Sequence, residues 1–307
     1  MDLKTANTPG RVLVTGATGN IGSVVLATLA EQEVDVIAGL SGNDRQAGIP
    51  PGMSWRVCDF QDEEKLAQAL HGVDSVFLLV PFAEHMVAWG RQFVRAASSA
   101  GVRFVLRLSG LAAAIDSESA IGRLHGQIDE AVRESGVPYC VLRANAFMQN
   151  FSGLYGGMMR RTGALFLPED DARLNFIDTR DIGIAAATIM MRPQAHKGRT
   201  YDLDGPEALG NEDTVRIISE VAGTRFEYRP ISAAQANASY RELGICDWKI
   251  EVLDSLEAFI RDGNAARQSA EIGDLMGRPP TKFEDFARDY RNCWTPNNVK
   301  DIDKASE

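Results

Sequence analysis

The sequence Val12–Gly22, VLVTGATGNIG, decides the fold of this chain. Its first residues are apolar and predict a β-strand, and the amphipathic pattern that follows predicts a helix continuing to Glu31. Between them, Gly16 permits a tight turn, Gly19 lets the backbone approach a pyrophosphate, and Gly22 lets the helix pack closely on the strand. Because amides at the start of such a helix bind anions, the pattern predicts a dinucleotide-binding loop. An ordinary strand–turn–helix corner is the alternative. The predicted loop contacts are Gly16, Thr18, Gly19, Asn20, Ile21 and Gly22.

Short apolar segments and longer amphipathic ones alternate through the first half of the chain. The predicted strands are Arg11–Val14, Val34–Leu40, Trp55–Cys58, Ser75–Val80, Arg103–Leu108 and Tyr139–Leu142. Such alternation is typical of βαβ units and a parallel sheet. We therefore predict the α/β class, with a Rossmann-type doubly wound parallel sheet that binds its ligand at the carboxyl ends of the strands.

Beyond Phe151 the alternation loosens, and the sequence predicts a smaller, mostly helical carboxyl-terminal substrate lobe. We expect residues 10–150 to form the NAD(P)-binding domain, with 176–203 returning to it. The lobe is expected to comprise 151–175 and 204–295, and residues 1–9 and 296–307 are expected to be flexible termini. Asp181 is expected to cap a helix at Ile182, and Asn211 to cap the helix that follows it.

Composition narrows the class of protein. The chain has 307 residues, of which 45% are hydrophobic and 24% charged, as in a soluble globular protein. A net charge of −10 disfavours direct nucleic-acid binding. The longest apolar run, Ile182–Met191, is shorter than the roughly 20 residues that cross a bilayer, and the first ten residues lack the apolar core of a signal peptide.

The four cysteines are far apart and form no CxxC, and the four histidines form no HxxxH. We therefore expect reduced thiols, no metal and a cytoplasmic location.

Several motifs, in order along the chain, resemble one family. They are TGATGNIG at 15–22, CDF at 58–60, FLLVP at 77–81, SGVPYCVLRANAFMQNF at 135–151, FIDTRDI at 176–182 and YDLDGPEAL at 201–209. Together they resemble the NmrA-like branch of atypical short-chain dehydrogenases over roughly residues 10–290. That branch includes NAD(P)H-dependent triphenylmethane, azo-dye and quinone reductases. It also includes redox-sensing regulators that bind the dinucleotide without turning it over.

The end of the second predicted strand bears on which dinucleotide is bound. NAD-specific sites usually place an acid there, whereas this chain has Leu40. Ser41 and Arg45 offer groups that could bind a 2′-phosphate, although the family usually carries Arg at the position of Ser41 and Asp44 argues mildly against a phosphate. We expect NADP(H) to be favoured over NAD(H).

The resemblance assigns further contacts. Asp59 and Phe60 are expected beside the adenine, with a helix cap and core packing as their respective alternatives. Val80 and Pro81 are expected to border the adenosine ribose and the nicotinamide side, and Asn145 and Phe147 the nicotinamide. The expected substrate residues are Phe82, Met148, Asn150, Phe151 and Tyr155; core packing is the alternative for the residues after the sixth strand, above all for methionine.

The YxxxK proton relay of typical short-chain dehydrogenases is missing, because none of the six tyrosines is followed by Lys at the fourth position. By resemblance, His125 stands where isoflavone-type reductases carry Lys. An imidazole there could shuttle a proton or bind ribose hydroxyls, and a surface or capping histidine is the alternative. Ser109 could orient a carbonyl or the carboxamide, or could simply form a turn with Gly110.

Two functions follow from these motifs. The first is an NAD(P)H-dependent reductase that passes hydride to a flat conjugated small molecule, such as a quinone, dye, imine or enone. The second is a non-catalytic NADP(H) sensor that acts through a protein partner. An epimerase-like role with a retained cofactor is a third, weaker hypothesis.

Overall fold

A computed structural model describes residues 9–42, 46 and 48–295 of the chain, and these divide into two units. The first unit comprises the described residues up to Ala144 together with Arg180–Leu203 and Glu271–Arg278. The second comprises Asn145–Thr179, Asp204–Ala270 and the described residues from Pro279 onward. The sequence-based division differs at its edges: it gives residues 145–150 and 176–179 to the first domain, and 271–278 to the lobe.

A seven-stranded parallel sheet forms the centre of the first unit. Its strands are β1 Val12–Val14, β2 Val36–Leu40, β3 Ser54–Val57, β4 Ser75–Leu78, β5 Phe104–Gly110, β6 Tyr139–Ala144 and β9 Thr200–Leu203. They lie in the order β3-β2-β1-β4-β5-β6-β9. The order reverses between β1 and β4, and this is the point at which doubly wound sheets bind ligands. The predicted fold class is confirmed.

Helices cover both faces of this sheet, because strands buried on both faces need apolar partners on each side. The helices of the first unit are α1 Gly22–Glu31, α2 Glu63–Leu70, α3 Met86–Ser99, α4 Ala120–Glu134, α7 Thr179–Met191 (from Arg180 onward) and α11 Glu271–Met276. On one face, α2, α3 and α4 pack on a core that includes Leu13, Val76 and Val105. On the other face α1 packs against α7, where a Cβ on Gly183 would lie 2.6 Å from Val24.

Two predicted helix caps are wrong. Helix α7 begins at Thr179, so Asp181 lies within its first turn, where its buried carboxylate accepts a hydrogen bond of 2.6 Å from Arg278. Helix α8 begins at Asn211 itself, and the preceding residue, Gly210, donates its amide to the Asp213 carboxylate at 3.2 Å. In both cases the helix starts earlier than the apolar pattern indicates, because a first turn does not need to be apolar.

In its described residues, the second unit combines two small sheets with six α-helices. Strands β7 Ala164–Leu167 and β11 Glu227–Pro230 pair in parallel, and β8 Arg173–Leu174 pairs antiparallel with β10 Leu209–Gly210. Its helices are α5 Gln149–Ser152, α6 Leu154–Thr162, α8 Asn211–Ala222, α9 Ala233–Glu242, α10 Asp247–Arg261 and α12 Phe283–Asp289.

An aromatic core holds the second unit together. The rings of Phe176 and Phe283 pack edge-on against Phe151, with centroids 5.1 Å away in each case. The buried Trp294 indole donates to the Phe151 carbonyl at 2.8 Å, which satisfies its N–H inside the core. In the described part of the chain, no helix combines the length and apolarity needed to cross a membrane.

Candidate active site

The glycine loop lies between β1 and α1, at the carboxyl end of β1. Gly16 has a φ of +62°, which favours glycine, and its carbonyl accepts from the Gly19 amide at 3.0 Å. A Cβ on Gly22 would lie 2.1 Å from the Gly16 carbonyl oxygen, so no side chain fits there. Gly19 is exposed and has more room, since its Cβ would lie 3.3 Å from the same oxygen. Such a cradle fits a dinucleotide pyrophosphate.

Thr15 ties this loop to the neighbouring strand. Its buried hydroxyl accepts from the Leu79 amide at 2.8 Å and lies within hydrogen-bond distance of the carbonyls of Phe77 and Leu79. These hydrogen bonds fix the position of the glycine loop relative to the segment after β4, at the point where the strand order reverses. Within the loop, Thr18 is half-buried, Asn20 is exposed and Ile21 is buried.

At the end of β2, the position where NAD-specific proteins usually carry an acid that binds the ribose is occupied by Leu40. Leu40 is buried, and Ser41 after it is exposed. Arg45, the other predicted phosphate contact, lies outside the described residues.

The predicted adenine contacts follow β3. One Asp59 oxygen accepts from the Gln61 amide at 3.0 Å, and the other lies 3.5 Å from the Lys65 ammonium. The cap of α2 is Asp62, which accepts from the amides of Glu64 and Lys65, so the capping alternative for Asp59 is wrong. Phe60 is buried in the core, where its ring stacks on Phe93 with centroids 5.2 Å apart.

The segment after β4 moves from core to surface. Val80 is buried in the same core as Phe60, whereas Pro81 and Phe82 are exposed. Of these three residues, only Pro81 and Phe82 therefore expose their side chains to solvent.

At the carboxyl ends of β5 and β6 lies a polar group that we call the arginine–aspartate cluster: Arg107, Ser109, His125, Asp129 and Arg143. Arg107 is fully buried and donates from Nη2 to His125 Nδ1 at 3.0 Å. The Ser109 hydroxyl donates to Asp129 Oδ2 at 2.9 Å. Both Arg107 Nε and Arg143 Nε lie 3.9 Å from the Asp129 carboxylate, too far for a hydrogen bond.

Burial and charge shift the titration of this cluster. Burial lowers the pKa of His125, and the positive charge of Arg107 lowers it further, to about 3. Burial lowers the pKa of Arg107 to about 10, so its guanidinium stays charged at neutral pH. Burial also raises the pKa of Asp129, against the opposing charges of Arg107 and Arg143.

The predicted catalytic pair is thus found in one cluster, in surroundings that the sequence did not indicate. His125 is half-buried inside α4, so neither a surface nor a capping histidine describes it. Ser109 and Gly110 belong to β5 rather than to a turn. A Cβ on Gly110 would lie 2.9 Å from the His125 ring, so this glycine makes room for the imidazole.

Sequence reasoning missed Arg107, Asp129 and Arg143. Two signals were present. Arg107 is a charged residue in the middle of the apolar segment FVLRLS, and Asp129 follows His125 by four residues, which puts both on one face of α4.

The second unit begins with the predicted nicotinamide contacts Asn145 and Phe147. The buried Asn145 amide donates to Asp204 Oδ1 at 2.8 Å and to the Ala265 carbonyl at 3.0 Å. Its oxygen accepts from the Ala146 amide, so this side chain already holds three partners within the unit. Phe147 is half-buried, and its backbone forms an isolated parallel β-bridge with Ile177.

The predicted substrate residues of the second unit fall into two groups. Met148 and Phe151 are buried, at 1% and 0% exposure, so their side chains are core residues, as the packing alternative held. Asn150 and Tyr155 are half-buried. Only this second pair has accessible surface to offer a ligand.

A second buried polar group, the acidic cluster, lies in this unit and consists of Glu169, Glu257, Tyr155, Tyr240 and Asn211. The Tyr240 hydroxyl donates to Glu257 Oε1 at 2.7 Å, and the Asn211 amide donates to Glu169 Oε2 at 2.7 Å. Glu257 Oε2 is buried without a hydrogen-bond partner. Burial, together with the charge of Glu169, raises the pKa of Glu257 to about 7. Burial also raises the pKa of Tyr155, and both glutamates add to this shift.

Among the described residues, no group of three or more His, Cys, Asp or Glu side chains is placed to hold a metal ion.

Sheet order and glycine loop together define a dinucleotide-binding protein of the Rossmann type. Comparison with known proteins agrees with this class and narrows it. The NmrA-like family matches residues 8–282, and the chain belongs to that family.

Two relatives and one solved structure illustrate the match. NAD(P)H azoreductase of Xenophilus azovorans is 29% identical, over 90% of this chain and 96% of its own. The (4-alkanoyl-5-oxo-2,5-dihydrofuran-3-yl)methyl phosphate reductase of Streptomyces griseus is 31% identical, over 93% and 99%. Triphenylmethane reductase of Citrobacter sp., solved with NADP(H), superimposes with a TM-score of 0.80 at 22% identity, covering 91% of this chain and 99% of its own, and shares the fold. These relatives are oxidoreductases, and we assign the chain to that class.

Proposed function

We propose that this protein is an NADPH-dependent reductase that passes hydride to a flat conjugated small molecule such as a quinone, dye, imine or enone. The observation that carries the proposal is the glycine cradle at the reversal of strand order, where a Cβ on Gly22 would lie 2.1 Å from the Gly16 oxygen. Both curated relatives are named as reductases, and one of them by its use of NAD(P)H. The bound dinucleotide supplies the hydride, which is one hydrogen with two electrons.

The residues of this chain bind and orient the two reactants. Amides of the loop Gly16–Gly22 would hold the pyrophosphate, helped by Thr18 and Asn20. Asp59 would accept from the adenine amine with the carboxylate that bonds Gln61. The side-chain amide of Asn145 is already hydrogen-bonded within the second unit, so Asn145 would contribute to nicotinamide binding through the backbone that its side chain holds in place. Asn150 and Tyr155 stay predicted substrate contacts.

The glycine cradle is tested by Gly19→Ala. The added Cβ would lie 3.3 Å from the Gly16 oxygen, so the fold should tolerate it while a pyrophosphate should not. We expect NADPH affinity measured by calorimetry to fall at least tenfold, a loss of about 1.4 kcal/mol, with an unchanged melting temperature. Gly210→Ala is the matched control, since its Cβ would meet nothing nearer than 3.7 Å. Equal affinity in both variants would contradict the proposal.

The preference for NADPH is tested at the end of β2. Ser41 is exposed, so Ser41→Asp should leave the fold unchanged and place a carboxylate beside a 2′-phosphate. The ratio of NADPH to NADH affinity should fall about tenfold in this variant, which corresponds to one moderately screened like-charge contact. Arg45→Ala should lower the same ratio. A ratio that neither change moves would count against NADPH preference.

Turnover separates the reductase from the sensor hypothesis. Purified protein should consume NADPH when given a panel of quinones and dyes, and no consumption without an acceptor is expected. If NADPH binds but no acceptor of the panel is reduced, while a protein partner is retained in a manner that depends on the redox state of the nucleotide, the reductase proposal fails and the sensor hypothesis replaces it.

A further inference from the structure

We propose that Arg107 is a positioning residue that holds His125 as a neutral imidazole with its proton on Nε2. His125 then acts as a fixed hydrogen-bond donor and not as a proton shuttle, and this restricts the acceptors that the enzyme reduces. The restriction on acceptors rests on the proposed reductase function; the state of the imidazole does not.

The contact between the two side chains fixes the tautomer. Arg107 Nη2 lies 3.0 Å from His125 Nδ1, and a guanidinium carries hydrogen-bond donors only. Nδ1 must therefore accept with its lone pair, which leaves the ring proton on Nε2. A protonated imidazole would bring a second N–H against the guanidinium, so the contact and the charge both oppose protonation.

Arg107 cannot easily turn away from the ring. It is 0% exposed, its Nη1 lies 3.5 Å from the Leu78 carbonyl of β4, and its Nε faces the Asp129 carboxylate at 3.9 Å. Its position is thus set by β4, β5 and α4 together. A Lys at this position would present one compact ammonium group and could not face all three partners in the same way.

The other charged groups around His125 do not offset this effect. From its own helix, Asp129 faces Arg107 and accepts from Ser109. From β6, Arg143 lies beside Asp129 and adds a second positive charge. From α3, the charged residues Arg91 and Arg95 line an outer groove with Glu130 and Glu134 instead. Burial and the positive charge of Arg107 therefore act together to keep the imidazole neutral.

The free N–H of His125 lies at the carboxyl edge of the sheet. Nε2 would be 3.2 Å from a Cβ on Gly110, the last residue of β5, so this edge of the ring faces the end of the strand. A single N–H at that edge can bind a ribose hydroxyl or an acceptor oxygen. It is a poor acid, because a neutral imidazole gives up its remaining proton far less readily than an imidazolium.

The acceptor would therefore complete its reduction without a proton from His125. A cationic dye gains one hydrogen and two electrons as hydride, forms one C–H bond and becomes neutral, and the nucleotide is oxidised to NADP⁺. A quinone gains the same hydride and becomes the monoanion of its hydroquinone, which takes its proton from water. A neutral, unconjugated ketone or imine would leave a strongly basic anion, and reduction of that class needs an acid, which a neutral His125 does not supply.

Histidine NMR of the full-length wild-type protein tests the state of the ring directly. With ¹⁵N-labelled histidine, and with the His125 signals identified by their loss in His125→Gln, we expect one acceptor-type nitrogen at Nδ1 and one protonated nitrogen at Nε2. Neither signal should move between about pH 5 and 8, where an ordinary histidine titrates. A titration in that range, or a proton on Nδ1, would overturn the proposal without any variant of Arg107.

Variants assign the effect to Arg107. In Arg107→Gln and Arg107→Met the charge is gone, and the shorter side chains end before the position from which Nη2 donates to Nδ1. The proton of His125 should then no longer be confined to Nε2, and its pKa should rise from about 3 by the share that the charge of Arg107 contributes, while burial keeps it below the ordinary value. Arg103→Met, which removes an exposed arginine of the segment leading into β5, is the control and should leave the His125 signals unchanged. If Arg107→Gln folds and the His125 proton is still found on Nε2 alone, with its pKa unchanged, Arg107 does not position this ring.

An acceptor panel tests the consequence for substrates. Quinones and cationic dyes should be reduced at least a hundredfold faster than matched unactivated ketones and imines, since a general acid contributes about that factor or more. The pH profile of turnover should lack a step near pH 6.5. Equal rates for ketones and quinones overturn this inference and leave the reductase function in place, whereas an absence of turnover with every acceptor overturns the function.

Discussion

The two buried polar clusters of this molecule differ in which groups surround their buried carboxylates. The arginine–aspartate cluster of the first unit places Arg107 and Arg143 around Asp129, so each buried charge has an opposite charge within 3.9 Å. The acidic cluster of the second unit buries Glu169 and Glu257 with hydroxyl and amide hydrogen-bond partners, and burial raises the pKa of Glu257 to about 7 although the charge of Arg261 opposes the shift. Burial raises the pKa of Asp129 as well, but in the first unit the charges of Arg107 and Arg143 oppose the shift.

This difference predicts opposite responses to pH. The folded-state pKa of His125 lies at about 3, below its ordinary 6.5, so its contribution to stability is present above pH 6.5 and is lost as pH falls toward 3. The folded-state pKa of Glu257 lies at about 7, above its ordinary 4.5, so its contribution is present below pH 4.5 and is lost as pH rises through 7. In mild acid His125 should therefore destabilise the first unit, against the opposite contribution of Asp129, whose pKa is raised, while Glu257 should stabilise the second unit.

The largest expected effect is the loss of balance in the first cluster. Arg107→Met removes the fully buried cation beside the fully buried Asp129 and leaves Arg143 and Arg133 as the remaining cations that act on it. Removing one partner of a buried ion pair costs about 3–5 kcal/mol. Denaturant unfolding should show a lower midpoint in this variant. Arg103→Met breaks an exposed pair with Asp74 and should cost less than about 1 kcal/mol. Similar losses in the two variants would mean that burial does not distinguish these pairs.

A medium effect is expected from Glu257→Gln. At pH 8 the buried wild-type carboxylate is ionised, and its ionisation lowers the free energy of unfolding. The neutral amide of the variant removes this loss, which is about 2 kcal/mol after allowance for partial solvent screening. The variant should therefore unfold at a higher temperature than wild type at pH 8, and the difference should shrink toward pH 5. Glu220→Gln, in an exposed helical pair with Arg216, is the control and should show no such trend. A gain that does not depend on pH would contradict the raised pKa.

The smallest effect is expected from His125→Gln in mild acid. The unfolded wild-type chain gains a proton at this histidine below pH 6.5 and the folded one does not. Wild type should therefore lose on the order of 1 kcal/mol between pH 7 and pH 5 relative to the variant, because the ring is half-buried. Thermal unfolding at a series of pH values measures this slope, and parallel slopes in the two proteins would show that the histidine titrates equally in both states.

Much of the fold could be predicted because its signals are local. The strand segment before Gly16, the three glycines and the alternation of apolar and amphipathic segments each act within a few residues, and the observed strands β1–β6 follow the predicted ones closely. Helix starts are less predictable: the sequence pattern predicts caps at Asp181 and Asn211, but α7 begins before Asp181 and α8 begins at Asn211.

The candidate site was predictable only in part. His125 and Ser109 were found by resemblance and motif, and they do meet in one cluster. Met148 and Phe151 were expected at the substrate, but their side chains lie in the core of the second unit, because residues that follow a strand can point either way and the sequence does not show which.

By itself the sequence determined the class of fold, the loop that would cradle a pyrophosphate and the family to which the chain belongs, since these depend on residue type and short spacing. Only the tertiary structure decided which charges share a buried site. Arg107 lies 18 residues from His125 and Asp129 lies 20 from Ser109 along the chain, and they meet because β5 packs against α4. Ionisation depends on such neighbours and on burial, and both arise only when distant segments pack together.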